Sequence, residues 1–267
     1  MSELQELLTI ALKATEIARI EILRHFGQKI SVDWKPDRTP VTIADRNTEE
    51  LVRHWLGQET PEFGLIGEEF GRTNPQAEYQ WILDPIDGTK SFVRGVPLFG
   101  TLLALYHRGQ ARIGIISLPA LDSVLHAASG MGAWVDDVQV HVSDVSQLSQ
   151  ATVLSGTLNT MEAKGYGESF ARIRRTAQLY RGWGDCYGYY LVACGRAEVM
   201  VDPVVSIWDI APMPVIFAEA GGRFSEISGG AQLLGDQGEL RTGPEGYTGV
   251  ATNFRLYDAV LDAFPTP

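Results

Sequence analysis

Trp81-Ile82-Leu83-Asp84-Pro85-Ile86-Asp87-Gly88-Thr89-Lys90-Ser91-Phe92 joins an apolar run to two acids and a glycine. Trp81-Ile82-Leu83 predicts a short buried strand. The Asp84–Gly88 stretch after it predicts a sharp turn, because Asp, Pro and Gly each suit turns. A plain β-turn accounts for that composition. A second reading sets the two carboxylates, three residues apart, around one ion. Gly88-Thr89 then opens the next segment with backbone N–H groups, an anion site if that segment is helical. Oxygen-only ligands suit Mg²⁺, which takes a few carboxylates plus phosphate oxygens. The spacing is not that of an EF-hand loop, which needs acids at alternate positions.

Working outward, Phe63-Gly64-Leu65-Ile66-Gly67 is a second short strand, ending in Glu68-Glu69. Apolar runs at 98–106, 112–118 and 123–128 are successive strands of one sheet. Upstream, Leu4, Leu7, Leu8, Ala11, Ala14, Ala18, Ile22 and Phe26 form one stripe of a helix stopped at Gly27. Residues 31–40 predict a loop or short hairpin. Thr42 caps a second helix with Asp45 three residues on, a variant of the capping box. Its buried stripe is expected at Ala44, Thr48, Leu51, Val52 and Trp55. Downstream, 151–155 and 198–202 read as strands and 167–179, 185–194 and 209–220 as helices, with a last strand at 250–252 before a helix near 254–263. The stretch 228–249, with seven glycines, reads as hairpin or loop. The polar stretch 136–150 is the expected internal boundary, between an N-terminal α+β half (1–145) and a C-terminal α/β half (146–267). Strands and helices mixed in both halves predict a layered α/β (α+β) architecture.

Composition narrows the function classes. The 267 residues are 45% hydrophobic and 21% charged, an ordinary globular mixture. No apolar run approaches the roughly 18 residues of a membrane span, and Met1–Glu6 lacks the basic start of a secretory signal. Twenty-two basic against 33 acidic residues give a net charge of −11, which opposes binding to nucleic acid through counterion release. An acidic protein that handles an anion needs a local device such as a metal cluster. Two cysteines make no disulfide framework and suggest a reducing, cytoplasmic setting. Cys186 and Cys194 on one helix would sit about 12 Å apart, too far for a bridge. The five histidines have no i, i+4 pair and no cysteine nearby, so any metal must be held by carboxylates.

Acids stand at element ends in three separated segments: Glu68, then Asp84 and Asp87, then Asp209. Each has a plain alternative: solvated strand-end charge for Glu68, turn chemistry for Asp84 and Asp87, and a helix N-cap for Asp209. Together with their flanks they resemble a known pattern. Trp81–Phe92 resembles the first signature of the inositol monophosphatase family. Trp208-Asp209-Ile210-Ala211-Pro212, running to Glu219-Ala220-Gly221-Gly222, resembles the second. Gly67-Glu68-Glu69 is similar to the family's glutamate segment, and Asp37–Asp45 (DRTPVTIAD) to its N-terminal motif.

The resemblance implies a sugar-phosphatase fold of alternating helix and sheet layers, a homodimer, and on the order of two to three Mg²⁺ ions per site. By position, Glu68, Asp84 and the carbonyl of Ile86 resemble ligands of a first metal, and Asp84, Asp87 and Asp209 those of a second. Thr89, hydrogen-bonded to Asp45, resembles the dyad that with Glu68 orients the attacking water. The Gly88-Thr89 amides, with Asp87 and Asp209 beside them, would hold the phosphate. The implied reaction is in-line hydrolysis of a phosphate monoester by a metal-activated water.

The family's substrates differ, so fold does not settle the ester. Lys90-Ser91-Phe92, Pro97-Leu98-Phe99-Gly100-Thr101-Leu102 and Gly184-Asp185-Cys186-Tyr187-Gly188-Tyr189 are closer to the histidinol-phosphate branch. Asp202 lies seven residues before Asp209, where the inositol branch usually has a glutamate. Asp185 and Asp202 together would receive a cationic amino alcohol, with Arg181, Trp183 and Tyr187 as candidates to line an imidazole pocket. As plain alternatives, Asp202 ends a strand and Asp185 caps a helix. Trp208-Asp209 is the form typical of the inositol branch. Histidinol phosphate is the expected substrate, with inositol 1-phosphate and 3′-phosphoadenosine nucleotides as alternatives. A non-catalytic regulator binding metal or phosphate is the alternative of another class. It would have lost one of Glu68, Asp84, Asp87, Thr89 or Asp209, and all five are present.

Overall fold

The computed structural model describes residues 2–28, 32–34, 40–235, 239 and 246–264. Helix α1 (Glu3–His25) buries Leu7, Ala11, Ala14, Ala18 and Ile22, the expected stripe. Strands β1 (Val32–Trp34) and β2 (Pro40–Thr42) pair antiparallel as a short hairpin. Asp37, Arg38 and Thr39 lie outside the described residues. Thr42 then caps α2 (Ile43–Glu59) in a capping box with Asp45. The buried face of α2 differs from the expected stripe: Leu51 is exposed, whereas Asp45, Glu49 and Leu56 are buried with Ala44, Thr48 and Val52. The helix is rotated to turn two acids inward, which a search for apolar periodicity passes over.

Strands β3 (Gly64–Gly67), β4 (Gly71–Thr73), β5 (Tyr79–Asp87), β6 (Gly100–His107), β7 (Gln110–Leu118), β8 (Ser123–Ala128), β9 (Ala133–Val135) and β10 (Val138–Val140) form an eight-stranded sheet of order β10-β9-β8-β7-β6-β5-β3-β4. Helix α3 (Thr89–Val93) follows β5. The strand does not stop at Leu83: it runs on to Asp87 with a register shift between Asp84 and Asp87. The expected turn is thus an irregularity within a strand, which bends the chain and re-aims its side chains.

The second sheet has order β12-β11-β13-β15-β14. It is built from β11 (Thr152–Ser155), then, after helices α4 (Leu158–Ala163) and α5 (Gly167–Thr176), β12 (Leu179–Arg181), and, after α6 (Asp185–Ala193), β13 (Val199–Val205). Helices α7 (Ile207–Ile210) and α8 (Met213–Ala220) precede β14 (Arg223–Ser225), β15 (Tyr247–Thr252) and α9 (Tyr257–Leu261). The single helix expected at 209–220 is therefore two, broken at Ala211-Pro212, where Pro212 lacks the N–H to continue the first. The stretch expected as one helix to residue 179 ends at Thr176, and Leu179–Arg181 joins β11 as a parallel edge strand.

Side chains that alternate along the strands distribute themselves into three cores. Trp81, Leu83, Leu103, Leu105, Ile113 and Ile115 face α1 and α2. Ile82, Leu102, Ala104, Ile116 and Leu125, one residue out of phase, pack with Met200 and Ala251 of the second sheet around α6 and α8. Val153, Val199, Val201 and Val250 point the other way, onto Met161, Phe170, Ile173 and Val260. The described residues thus stack in five layers, helix–sheet–helix–sheet–helix. Helix α6 lies between the two sheets, which is why it is buried nearly all round, Cys186 and Gly188 through Ala193 included. Among the described residues no helix is long and apolar enough to cross a membrane.

Candidate active site

Register brings the first acids together. β3 and β5 run parallel, with Gly67 opposite Leu83, so Glu68, just past the end of β3, comes beside Asp84 within β5. The irregularity after Asp84 turns Asp87 toward the same end. From the second sheet, β13 delivers the chain to Ser206, whose backbone N–H donates to the Asp209 Oδ2 at 2.7 Å in a capping box on α7. Asp209 is therefore the third residue of a short helix capped by Ser206, not the cap that opens a long one. The Tyr106 hydroxyl on β6 donates to the Ala211 carbonyl at 2.9 Å and ties this corner to the first sheet.

Asp84, Asp87 and Asp209 offer oxygens that all lie within 4.8 Å of one another. Burial and mutual repulsion at that spacing both disfavour the charged forms. Burial and then the charges of Glu68, Asp87 and Asp209 hold the Asp84 carboxyl well above the ordinary range. Asp87 is raised by burial and then by Asp185 and Asp209, although the Cys186 backbone N–H donates to it. Burial lifts Asp209 to about 7, against the opposing Ser206 hydrogen bond. Asp84 is 2% exposed and its Oδ1 meets no hydrogen-bond donor. A desolvated carboxylate oxygen without a partner is costly. It fits a divalent cation with oxygen ligands, and the donor set here is carboxylate and carbonyl throughout.

A second group of acids surrounds this cluster. Asp45 is fully buried at the start of α2 and accepts from the Thr42 N–H (2.7 Å) and hydroxyl (2.6 Å); burial raises it to about 6, with Glu68 adding to the shift. Asp202 on β13 is pushed to about 7 by burial, then by Asp185. Asp185 opens α6 at φ +53°, a left-handed conformation that Asp tolerates better than most residues. It stands open to solvent at the rim, yet the protein packed around it raises its carboxyl, with Lys90 pulling the other way.

Two expectations meet a different arrangement. The Thr89 hydroxyl donates to the Ile86 carbonyl at 3.0 Å, and Asp45 is taken up by Thr42, so these two side chains do not form the expected hydrogen bond with each other. A hydroxyl has one proton to give, and the carbonyl three residues back is nearer to hand. Tyr187 stacks on Tyr190 (centroids 6.3 Å, 8°) beside the inter-sheet core, while Trp183 is exposed. Sequence reading also passed over Glu49, whose signals were its place one turn after Asp45 and its i, i+4 pairing with Arg53.

Comparison with known proteins agrees with this geometry. The inositol monophosphatase family profile matches residues 3–258. The histidinol-phosphatase of Mycobacterium tuberculosis is 40% identical over 95% of this chain and 94% of its own. That of Chlorobaculum parvum is 41% identical over 86% and 90%. Among solved structures, an inositol monophosphatase from Zymomonas mobilis superposes with a TM-score of 0.84 at 28% identity, covering 98% of this chain and 99% of that one. With layers, acidic cluster and near-complete coverage in agreement, the chain belongs to the inositol monophosphatase family and is a metal-dependent phosphomonoesterase.

Proposed function

We propose that the protein is a Mg²⁺-dependent histidinol-phosphate phosphatase, converting L-histidinol phosphate and water to L-histidinol and phosphate. The observation that carries the substrate is the second ring of acids: Asp185 and Asp202 lie beside the carboxylate cluster, close enough for the Asp185 charge to oppose the ionisation of both Asp87 and Asp202. A sugar-like polyol can offer these carboxylates only hydroxyl hydrogen bonds, whereas an ammonium group also offsets their charge. The relatives at 40% and 41% identity bear the matching name, and the inositol monophosphatase structure stands further off at 28%.

In this reading Glu68, Asp84, Asp87, Asp209 and the Ile86 carbonyl hold the cations. Bound Mg²⁺ supplies positive charge at the phosphoryl oxygens and lowers the pKa of water beside it. The backbone N–H groups of Gly88 and Thr89 would receive the phosphate, with Asp87 and Asp209 beside it. Glu68, with Thr89 and Asp45 behind it, orients the attacking water. Asp185 at the rim and Asp202 at the floor receive the amino alcohol. A homodimer in a reducing cytoplasm completes the reading, supported by the family resemblance and by two free cysteines.

Asp185→Asn and Asp202→Asn test the substrate assignment. Each is expected to lower kcat/KM for L-histidinol phosphate by about tenfold or more, roughly 1.4 kcal/mol, while turnover of an uncharged ester such as p-nitrophenyl phosphate falls less than threefold. Equal losses on both esters would remove the acids from substrate recognition.

A further inference from the structure

Behind the Glu68 segment lies an ion pair that nothing in the site itself requires. Glu49, on α2, has a completely buried carboxylate. Its Oε1 accepts from Arg53 Nε at 2.8 Å and from the Phe70 N–H at 3.0 Å, and its Oε2 accepts from the Glu69 N–H at 2.8 Å. Arg53 in turn donates through Nη2 to the Gly71 carbonyl. The pair thus grips the backbone of residues 69, 70 and 71, the turn that follows Glu68 and leads from β3 into β4. On the other side of Glu68, Gly67 leaves the space this carboxylate occupies: a Cβ there would lie 2.6 Å from the Glu49 carboxyl carbon.

An exposed two-stranded turn needs no such support, because water satisfies its N–H groups. Burying a carboxylate and a guanidinium is expensive, and apolar side chains of similar volume stabilise as well or better. What a buried, multiply bonded acid adds is fixed geometry, since its lone pairs accept from only one arrangement of the backbone. The geometry fixed here is that of the residue between Gly67 and Glu69. We propose that Glu49, held by Arg53, is the positioning residue for Glu68: it locks the β3–β4 turn so that the Glu68 carboxylate stays beside Asp84. The inference rests on the reading of Glu68 as a metal ligand and adds to it what holds that ligand in place.

The test uses the full-length, metal-free protein and Mn²⁺ as probe, with affinity measured by electron paramagnetic resonance and amide hydrogen exchange followed at Glu69 and Phe70. Glu49→Gln is expected to weaken Mn²⁺ binding at least tenfold and to speed exchange at those two amides at least tenfold, while the amides of β5 exchange as before. Glu68→Gln is expected to weaken Mn²⁺ binding as much or more, and the double variant to bind within threefold of Glu68→Gln alone, because Glu49 acts through Glu68. Val260→Ala, in the far core, lowers stability and is expected to leave Mn²⁺ affinity unchanged, which separates positioning from general loosening. If Glu49→Gln fails to fold, Arg53→Lys keeps the charge and loses the fork, and is expected to shift both readouts in the same direction severalfold. Wild-type Mn²⁺ affinity in Glu49→Gln, or in Arg53→Lys where the first variant is unfolded, overturns the positioning role alone when Glu68→Gln binds weakly. Wild-type affinity in Glu68→Gln overturns the reading of Glu68 and the positioning role with it.

Discussion

Asp84→Asn is expected to lose roughly 10³-fold in kcat/KM, about 4 kcal/mol of transition-state stabilisation, and at the same time to make the metal-free protein more stable. The two effects have one origin. Asp84 is 2% exposed, with one oxygen unpartnered, in a cluster where Glu68, Asp87 and Asp209 oppose its ionisation. A cation offsets that repulsion; without one, removing a charge relieves it. The pH dependence follows in sign. An aspartate in the unfolded chain titrates near 3.9, whereas folding raises Asp84 and lifts Asp209 and Asp202 to about 7. Between those values the folded state binds more protons, so the stability of the metal-free protein falls as pH rises through the window. Thermal scans in EDTA from pH 5 to 8 are expected to show that decline in the wild type and a shallower one in Asp84→Asn. Near pH 7.5 the variant is expected to melt a few degrees higher, the equivalent of about 1 kcal/mol. A variant that turns over normally, or that melts lower than wild type without metal, contradicts this picture.

Gly184→Ala is expected to damage the architecture around the site. A Cβ at Gly184 would lie 2.6 Å from the Gly156 Cα and 2.9 Å from its backbone nitrogen, where no side chain can rotate away. The obstacle sits where β11 and α6 meet. The next residues are Asp185 and Cys186, whose backbone N–H donates to Asp87, so relief by backbone movement pulls α6 away from the acids. The expected cost is about 3 kcal/mol, at the upper end for overpacking, or roughly 6–12 °C in Tm for a chain of this size, together with a loss of turnover that added Mg²⁺ does not restore. Gly182→Ala is the control: nothing lies within 4 Å of its Cβ position, and both Tm and activity are expected to stay near wild type.

Local signals in the sequence proved dependable wherever a residue's role depends on near neighbours. The α1 stripe, the Thr42–Asp45 capping box and the strands at 64–67, 100–107, 110–118 and 123–128 all follow from spacing. The departures arise where a distant partner overrides a local preference. Asp84-Pro85-Ile86-Asp87 has turn composition, yet pairing with β6 on one side keeps it in the sheet as an irregular strand. Glu49 has the look of a solvated helix acid, and only contact with residues some twenty positions on shows why it is buried. Leu51 fits an apolar stripe by spacing and is exposed because α2 turns its acids inward. Asp84, Asp87 and Asp209 were legible as a group through their flanking motifs. The partner of the Thr89 hydroxyl was not, since the Ile86 carbonyl takes it and Thr42 takes Asp45.

Histidinol phosphate as substrate, cleaved at this carboxylate cluster, is the claim that most directly invites measurement. Phosphate release with Mg²⁺ should be followed for L-histidinol phosphate, myo-inositol 1-phosphate and 3′-phosphoadenosine 5′-phosphate, compared by kcat/KM. The expected result is a preference of about 100-fold or more for histidinol phosphate, roughly 2.7 kcal/mol of differential transition-state binding. Equal turnover of the three esters, or a preference for inositol 1-phosphate, would contradict the role given to Asp185 and Asp202.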